Sequence, residues 1–161
     1  MGSLAMLYFA YGSNLNWDQI RDRCPSTRFA SIARADGYRL AFTRFSKNRQ
    51  CGVADIVASA GSDVWGVVFE IPDDEVNVLD KSEGYSPGRG REKNAYERFQ
   101  LDVFRQGSNA SPITVWTYVV VNKLKSPPKP SAEYKATILA GARHWKLPAN
   151  YVEELEGIET Q

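Results

Sequence analysis

The sequence predicts a single α+β domain, because strand-type patterning fills its middle and helix-type patterning holds its ends. Val64–Ile71, Tyr96–Phe104 and Ile113–Val121 are rich in β-branched and aromatic residues, the composition of half-buried or buried strands. Helix signals lie outside them. Asn16 with Gln19 three residues on, and Ser131 ahead of Glu133-Tyr134, read as N-caps. At 161 residues the chain suits one domain with its own core. That domain is read as residues 6–161, with Met1-Gly2-Ser3-Leu4-Ala5, ahead of a second Met, set aside as a cloning remnant.

Taken in order, bulky Leu7, Tyr8 and Phe9 open as a strand. It breaks into Gly12-Ser13-Asn14, residues that tolerate turns and φ > 0. Asn16 then caps a helix that Pro25 should stop. Arg28–Ala33 reads as a short strand, and Tyr38–Phe42 alternates like a strand with one buried face. Phe42–Asp55 reads as polar and irregular, with Ser46–Gln50 an exposed, solvated loop. Val53–Ala58 is apolar enough for a strand, and Gly61-Ser62-Asp63 for a turn.

Val64–Ile71 is the strongest strand, and Gly66 in its middle marks a bulge or a close backbone approach. Pro72-Asp73-Asp74-Glu75 starts a short helix, acidic at its positive end, with Val76 and Leu79 facing inward. Ser86–Lys93, with Pro87, Gly88 and Gly90, is a loop. Tyr96–Phe104 and Ile113–Val121 make a hairpin. Lys123–Pro130, with three prolines, is an extended connection. Ser131 caps a helix to about Trp145, and Pro148 starts a last one through Leu155.

Composition narrows the function. A net charge of +1 gives no electrostatic case for nucleic acid or an anionic membrane as partner. No apolar run approaches the ~20 residues of a membrane span, and no signal peptide is read at the start, so a cytoplasmic protein is expected. Two cysteines, Cys24 and Cys51, and one histidine, His144, form neither a disulfide framework nor a metal set. The chain is expected to need no metal or cofactor.

Two places hold chemistry. A strand running through Gly-Ser-Asn into a helix start gathers free N–H groups, which suits a carboxylate or a developing oxyanion. A tight turn without a ligand satisfies the same pattern. Glu83 follows the short helix and precedes Gly84-Tyr85. It reads as a solvated loop carboxylate or as a positioned acid/base.

Tyr11-Gly12-Ser13-Asn14-Leu15 after a strand resembles the signature of the γ-glutamylcyclotransferase family. Val64-Trp65-Gly66-Val67-Val68, Leu79-Asp80-Lys81-Ser82-Glu83-Gly84 and Ser131-Ala132-Glu133-Tyr134-Lys135 follow in that family's order, so the likeness spans Leu7 to Ile158. It implies a small, mostly antiparallel β-barrel flanked by helices, and release of 5-oxoproline from a small γ-glutamyl molecule without a cofactor. The resemblance makes Glu83 the catalytic acid/base. It makes Tyr8, Phe9, Ala10, Tyr11, Gly12, Ser13, Asn14 and Leu15 a substrate cradle acting through its backbone, and Tyr134 a substrate contact. Tyr96 matches an aromatic position of the family, or packs the barrel.

Asp80 is read as structural, and Trp65, Trp116 and Tyr118 as packing. Arg89 and Arg91 sit in a loop longer and more basic than the family pattern, where they meet an anionic leaving group or keep the loop soluble. γ-Glutamyl α-amino acids are the expected substrates, with γ-glutamylamines or a γ-glutamyl group on a carrier protein as alternatives. A homologue that binds without turnover is the alternative from another class. A homodimer is the expected assembly.

Overall fold

A computed structural model describes residues 4–161. Five strands close into one barrel: β1 (Ala5–Ala10), β2 (Arg28–Ser46), β3 (Cys51–Pro72), β4 (Tyr96–Arg105) and β5 (Ile113–Val120), in the order β1-β3-β2-β4-β5. Neighbours pair antiparallel except β1 and β5, which meet in parallel at Tyr8 and Trp116. The predicted α+β barrel is therefore the fold. β1 already begins at Ala5, inside the stretch set aside as a remnant, where it pairs with Pro72. Residues 1–3 lie outside the described part.

The two longest strands run through signals that read as breaks. β2 joins the predicted strands at Arg28–Ala33 and Tyr38–Phe42, and β3 joins Val53–Ala58 to Val64–Ile71. The turn expected at Gly61-Ser62-Asp63 is a kink within β3, where pairing jumps from Tyr38–Ala58 to Asp36–Asp63. The expected irregular region Phe42–Asp55 is strand on both sides of a short turn at residues 47–50. Pairing along two long, bulged partners overrides local propensity, and the bulges supply the curvature that closes a small barrel.

Four helices flank the barrel: α1 (Trp17–Arg23), α2 (Val76–Ser82), α3 (Ala132–His144) and α4 (Ala149–Glu156). Both predicted caps form: Asn16 Oδ1 accepts from the Gln19 N–H at 3.1 Å, and Ser131 Oγ from the Tyr134 N–H at 3.0 Å. The core gathers Phe9, Leu15, Ile20, Phe69, Ile71, Leu79 and Ile138, all fully buried. Trp145, after α3, stacks on Phe29 and donates from Nε1 to the Leu15 carbonyl at 2.9 Å. That fixes α3, and Tyr134 with it, over the segment following β1.

Asp55, fully buried in β3, accepts from Thr43 Oγ1 at 2.7 Å, the Val120 N–H at 3.1 Å and Lys123 Nζ at 2.6 Å. One carboxylate thus ties β2, β3 and the end of β5 together, with each oxygen satisfied, as a buried charge requires. Its neighbour Ala54 is held at the barrel mouth. Among the described residues no helix is long and apolar enough to cross a membrane.

Candidate active site

The chain leaves β1 at Ala10, passes Tyr11 and Gly12, and makes one 3-10 turn over Ser13–Leu15 before α1. Gly12 has φ −111°, so the tolerance of φ > 0 that the sequence offered here is not used. Space is what it supplies. A Cβ there would stand 3.0 Å from Ala54 Cβ and 3.8 Å from the Tyr134 hydroxyl. Gly66 answers to the second of its two expectations, since a Cβ on it would collide with the Ala10 carbonyl.

Glu83 caps the C-terminus of α2, its N–H shared between the Leu79 and Asp80 carbonyls at 3.1 Å each. Gly84 follows at φ +64°, a conformation that turns the chain away at once and that glycine adopts without strain. One turn earlier, buried Asp80 receives Arg98 through Nε at 3.0 Å and Nη2 at 2.6 Å, and the Tyr118 hydroxyl at 2.6 Å. Asp80 clamps α2 to β4 and β5, which aims Glu83 into the barrel mouth with its side chain 15% exposed. The structural role expected for Asp80 is the one it fills.

Asn14 meets Glu83 from the other side. Its Nδ2 donates to Glu83 Oε1 and lies equally far, 3.0 Å, from the Tyr8 hydroxyl. Its Oδ1 accepts from Gln19 Nε2 and from Arg23 Nη1, both at 2.9 Å. Gln19 Nε2 also reaches Ser13 Oγ at 2.8 Å, and Gln19 Oε1 accepts from Arg49 Nη2 at 2.9 Å. Two cations therefore orient an amide chain that ends on the carboxylate. Glu83 Oε2 takes no hydrogen bond from a described residue, and it is the atom left for a ligand.

The resulting pocket is narrow and opens to solvent, with a cavity volume of about 30 Å³. Tyr8, Tyr11, Gly12, Ser13 and Asn14 form one wall, and Ala54, Glu83, Tyr96, Tyr118 and Tyr134 the rest. The tyrosine hydroxyls are anchored to backbone: Tyr11 to the Tyr118 carbonyl at 2.5 Å, Tyr96 to the Ala54 carbonyl at 2.6 Å, and Tyr134 to the Ala54 N–H at 3.0 Å. Of the predicted cradle, Phe9, Ala10 and Leu15 turn their side chains into the core and do not line the cavity.

Electrostatics separates the acids. Burial pushes the Tyr8, Tyr11, Tyr96 and Tyr118 hydroxyls far above their ordinary range, and Tyr134 up to about 12, so all five stay neutral near pH 7. Burial also raises the Glu83 carboxyl, while Arg23, Arg49, the Asn14 hydrogen bond and Arg44 pull it back down. Glu83 is the one carboxylate lining the cavity, and an upward shift suits a group that is to take and return a proton.

Arg89 and Arg91 lie elsewhere. Arg89 binds the Asn94 side chain and the Gly84 carbonyl, and Arg91 pairs with Glu97 at 2.6 and 2.8 Å. The basic loop read as solvated instead sends Arg49 back over the Tyr134 ring at 4.8 Å. Tyr118, read as packing, Gln19, read only as the cap partner of Asn16, and Arg49, read as part of a solvated loop, line or support the site, as do Ala54, Arg23 and Arg44, which no motif marked. The four-residue spacing of Gln19 and Arg23, which puts both on one face of α1 near its cap, was the available signal. Among the described residues no group of three His, Cys, Asp or Glu side chains is placed to hold a metal.

The AIG2-like family model matches residues 63–155. Over 158 residues the chain is 37% identical to the gamma-glutamylcyclotransferase of Mus musculus, covering 95% of this chain and 78% of that protein. Over 159 residues it is 36% identical to the protein of the same name from Homo sapiens, covering 96% and 79%. A solved gamma-glutamyl cyclotransferase superposes with a TM-score of 0.87 at 33% identity, over 98% of this chain and 90% of that one.

Proposed function

The chain belongs to the γ-glutamylcyclotransferases of the AIG2-like family, and from that membership we propose that it cyclises γ-glutamyl amino acids to 5-oxoproline, with Glu83 as its single acid/base. The observation that carries the assignment of Glu83 is its isolation: one carboxylate lines the cavity, with one oxygen held by Asn14 and the other free.

The substrate brings both reacting groups. Its α-amine is the nucleophile and its γ-carbonyl the electrophile, so a site that folds the chain over supplies much of the rate by proximity. The amine is largely protonated near neutral pH. Glu83 Oε2 takes a proton from it, the amine nitrogen bonds to the γ-carbon, and the amide bond to the leaving nitrogen breaks as that nitrogen is protonated. Atoms balance without water: the products are 5-oxoproline and a free amino acid. The developing oxyanion and the α-carboxylate need donors. The 3-10 turn at Ser13–Leu15 begins with N–H groups that have no acceptor within the turn. The backbone from Tyr8 to Ser13 is the cradle in this reading, and Tyr96 and Tyr134 wall the glutamyl chain.

The same reading makes the protein a cytoplasmic lyase of acyl-transfer type in glutathione metabolism, acting on free γ-glutamyl α-amino acids, with a homodimer as its assembly. Purified protein given γ-glutamyl-alanine should release 5-oxoproline and alanine in equal amounts with no metal or nucleotide added. Silence across a panel of γ-glutamyl dipeptides, γ-glutamyl-ε-lysine included, would leave a small-molecule-binding homologue instead.

A further inference from the structure

The cavity opens into a broader vestibule whose wall carries four cations, Arg23, Arg44, Arg49 and Lys81. The two spaces share Ser13, Glu83, Tyr96 and Tyr134, so whatever is attached to a glutamyl unit in the inner cavity extends into the outer one. Glu83 is the one acid on the vestibule wall. Arg23 and Arg49 are engaged with Asn14 and Gln19. Arg44 and Lys81 form no ion pair with any described residue.

We propose that this vestibule is the leaving-group subsite and that it selects leaving groups carrying two negative charges. γ-Glutamyl derivatives of dicarboxylic amino acids should be preferred over those of neutral amino acids, and both over amides. The proposal rests on the cyclotransferase reading. A neutral amino acid as leaving group carries one carboxylate, which one cation satisfies. Two unpaired cations beside two engaged arginines leave an excess of positive charge that a single carboxylate does not answer, and a cleft lined by one sign draws in ligands of the other. Arg23, Arg44 and Arg49 line the same space as Glu83, Ser13, Tyr96 and Tyr134, so a substituent leaving the inner cavity passes along them. Ser46 and Asn48 on the same wall offer neutral partners to the second carboxylate.

The test compares γ-glutamyl-alanine amide, γ-glutamyl-alanine and γ-glutamyl-aspartate, leaving groups of rising negative charge. KM should fall about threefold to fivefold with each added carboxylate at low salt, the range of a partly exposed ion pair, and the steps should shrink as salt rises. The advantage of the aspartate compound over the alanine compound should largely vanish in an Arg44→Gln/Lys81→Gln double variant whose melting temperature matches wild type. Equal KM for those two compounds in wild type, or an unchanged ratio in the double variant, overturns the proposal.

Calorimetric binding of the same three compounds to Glu83→Gln separates the two readings. A charge ladder in binding without turnover by wild type sinks the cyclotransferase reading and the leaving-group role with it, and keeps only the vestibule's selection for negative charge. Turnover without a ladder sinks the subsite alone, and neither binding nor turnover sinks both.

Discussion

The side-chain nitrogen of Asn14 stands 3.0 Å from Glu83 Oε1, and the donors on Asn14 Oδ1 leave that amide a single orientation. Gln19 and Arg23 offer only N–H groups to Oδ1, so the NH₂ must face the carboxylate. Asn14→Asp keeps the partners on that side and turns a second oxygen toward Glu83. A like charge in contact favours the protonated carboxyl. We expect kcat/KM to fall about tenfold to a hundredfold near neutrality, with the acid limb of its pH profile moved up by about one unit or more. Loss of rate with an unmoved acid limb would make Asn14 a structural residue only.

Glu83→Gln should cost at least ~10²-fold in kcat while substrate still binds, since glutamine fills the space but can neither accept the amine's proton nor return one. More than about a tenth of the wild-type rate would place the base elsewhere.

The same variant predicts a stability effect of opposite sense. Burial raises the folded-state pKa of Glu83 above its unfolded value. The protonated form is therefore favoured by folding, and that stability is lost as pH rises through the folded pKa. Glutamine removes the cost of the buried charge. Glu83→Gln should melt above wild type at pH 7, by about 2–4 °C for each kcal/mol relieved, and the gap should close at pH 4. For the same reason wild-type activity should decline on acidification from a point above the ordinary carboxylate range. A variant that melts below wild type at pH 7 would contradict the assigned balance between burial and the arginines.

Asp80→Asn should act on the fold. It breaks the two-point contact with Arg98 and weakens the bond from Tyr118 at a side chain only 4% exposed. A loss of about 2–4 kcal/mol follows, or roughly 5–10 °C in melting temperature. The rate per folded molecule at low temperature should change little. A large fall in kcat at unchanged melting temperature would move Asp80 into the chemistry.

The parts of the site that sequence made legible are those set by local chemistry. Asn16 and Ser131 are cap residues by type and spacing, so α1 and α3 could be placed from the residues themselves. Pro72–Glu75, read as the start of α2, is instead the end of β3 and a turn, and α2 begins at Val76. The strands were harder. Gly37 and Gly61 have positive φ, as breakers should, yet both sit inside continuous strands because the partner strand bulges with them. The vestibule was not legible at all. Arg23 comes from α1, Arg44 from β2, Arg49 from the turn beyond it and Lys81 from α2, and no spacing along the chain foretells a meeting that only barrel closure brings about. Tyr118 failed differently, since in a small barrel an inward position serves core and cavity alike.

The seam between β1 and β5 has a consequence for the timing of activity. Tyr8 pairs with Trp116 across it, Thr117 Oγ1 donates to the Phe9 carbonyl at 2.7 Å, and the Tyr11 hydroxyl reaches the Tyr118 carbonyl. These partners stand more than a hundred residues apart in sequence, the kind of contact whose loop-closure entropy makes it slow to form. The same few residues of β1 lead into the turn that faces Glu83. With Glu83 as the proposed acid/base, a chain still open along this seam would have most of its strands and helices but no assembled site, so a newborn or half-folded molecule should be catalytically silent. The first 5-oxoproline from a refolding sample would mark the moment its barrel shuts.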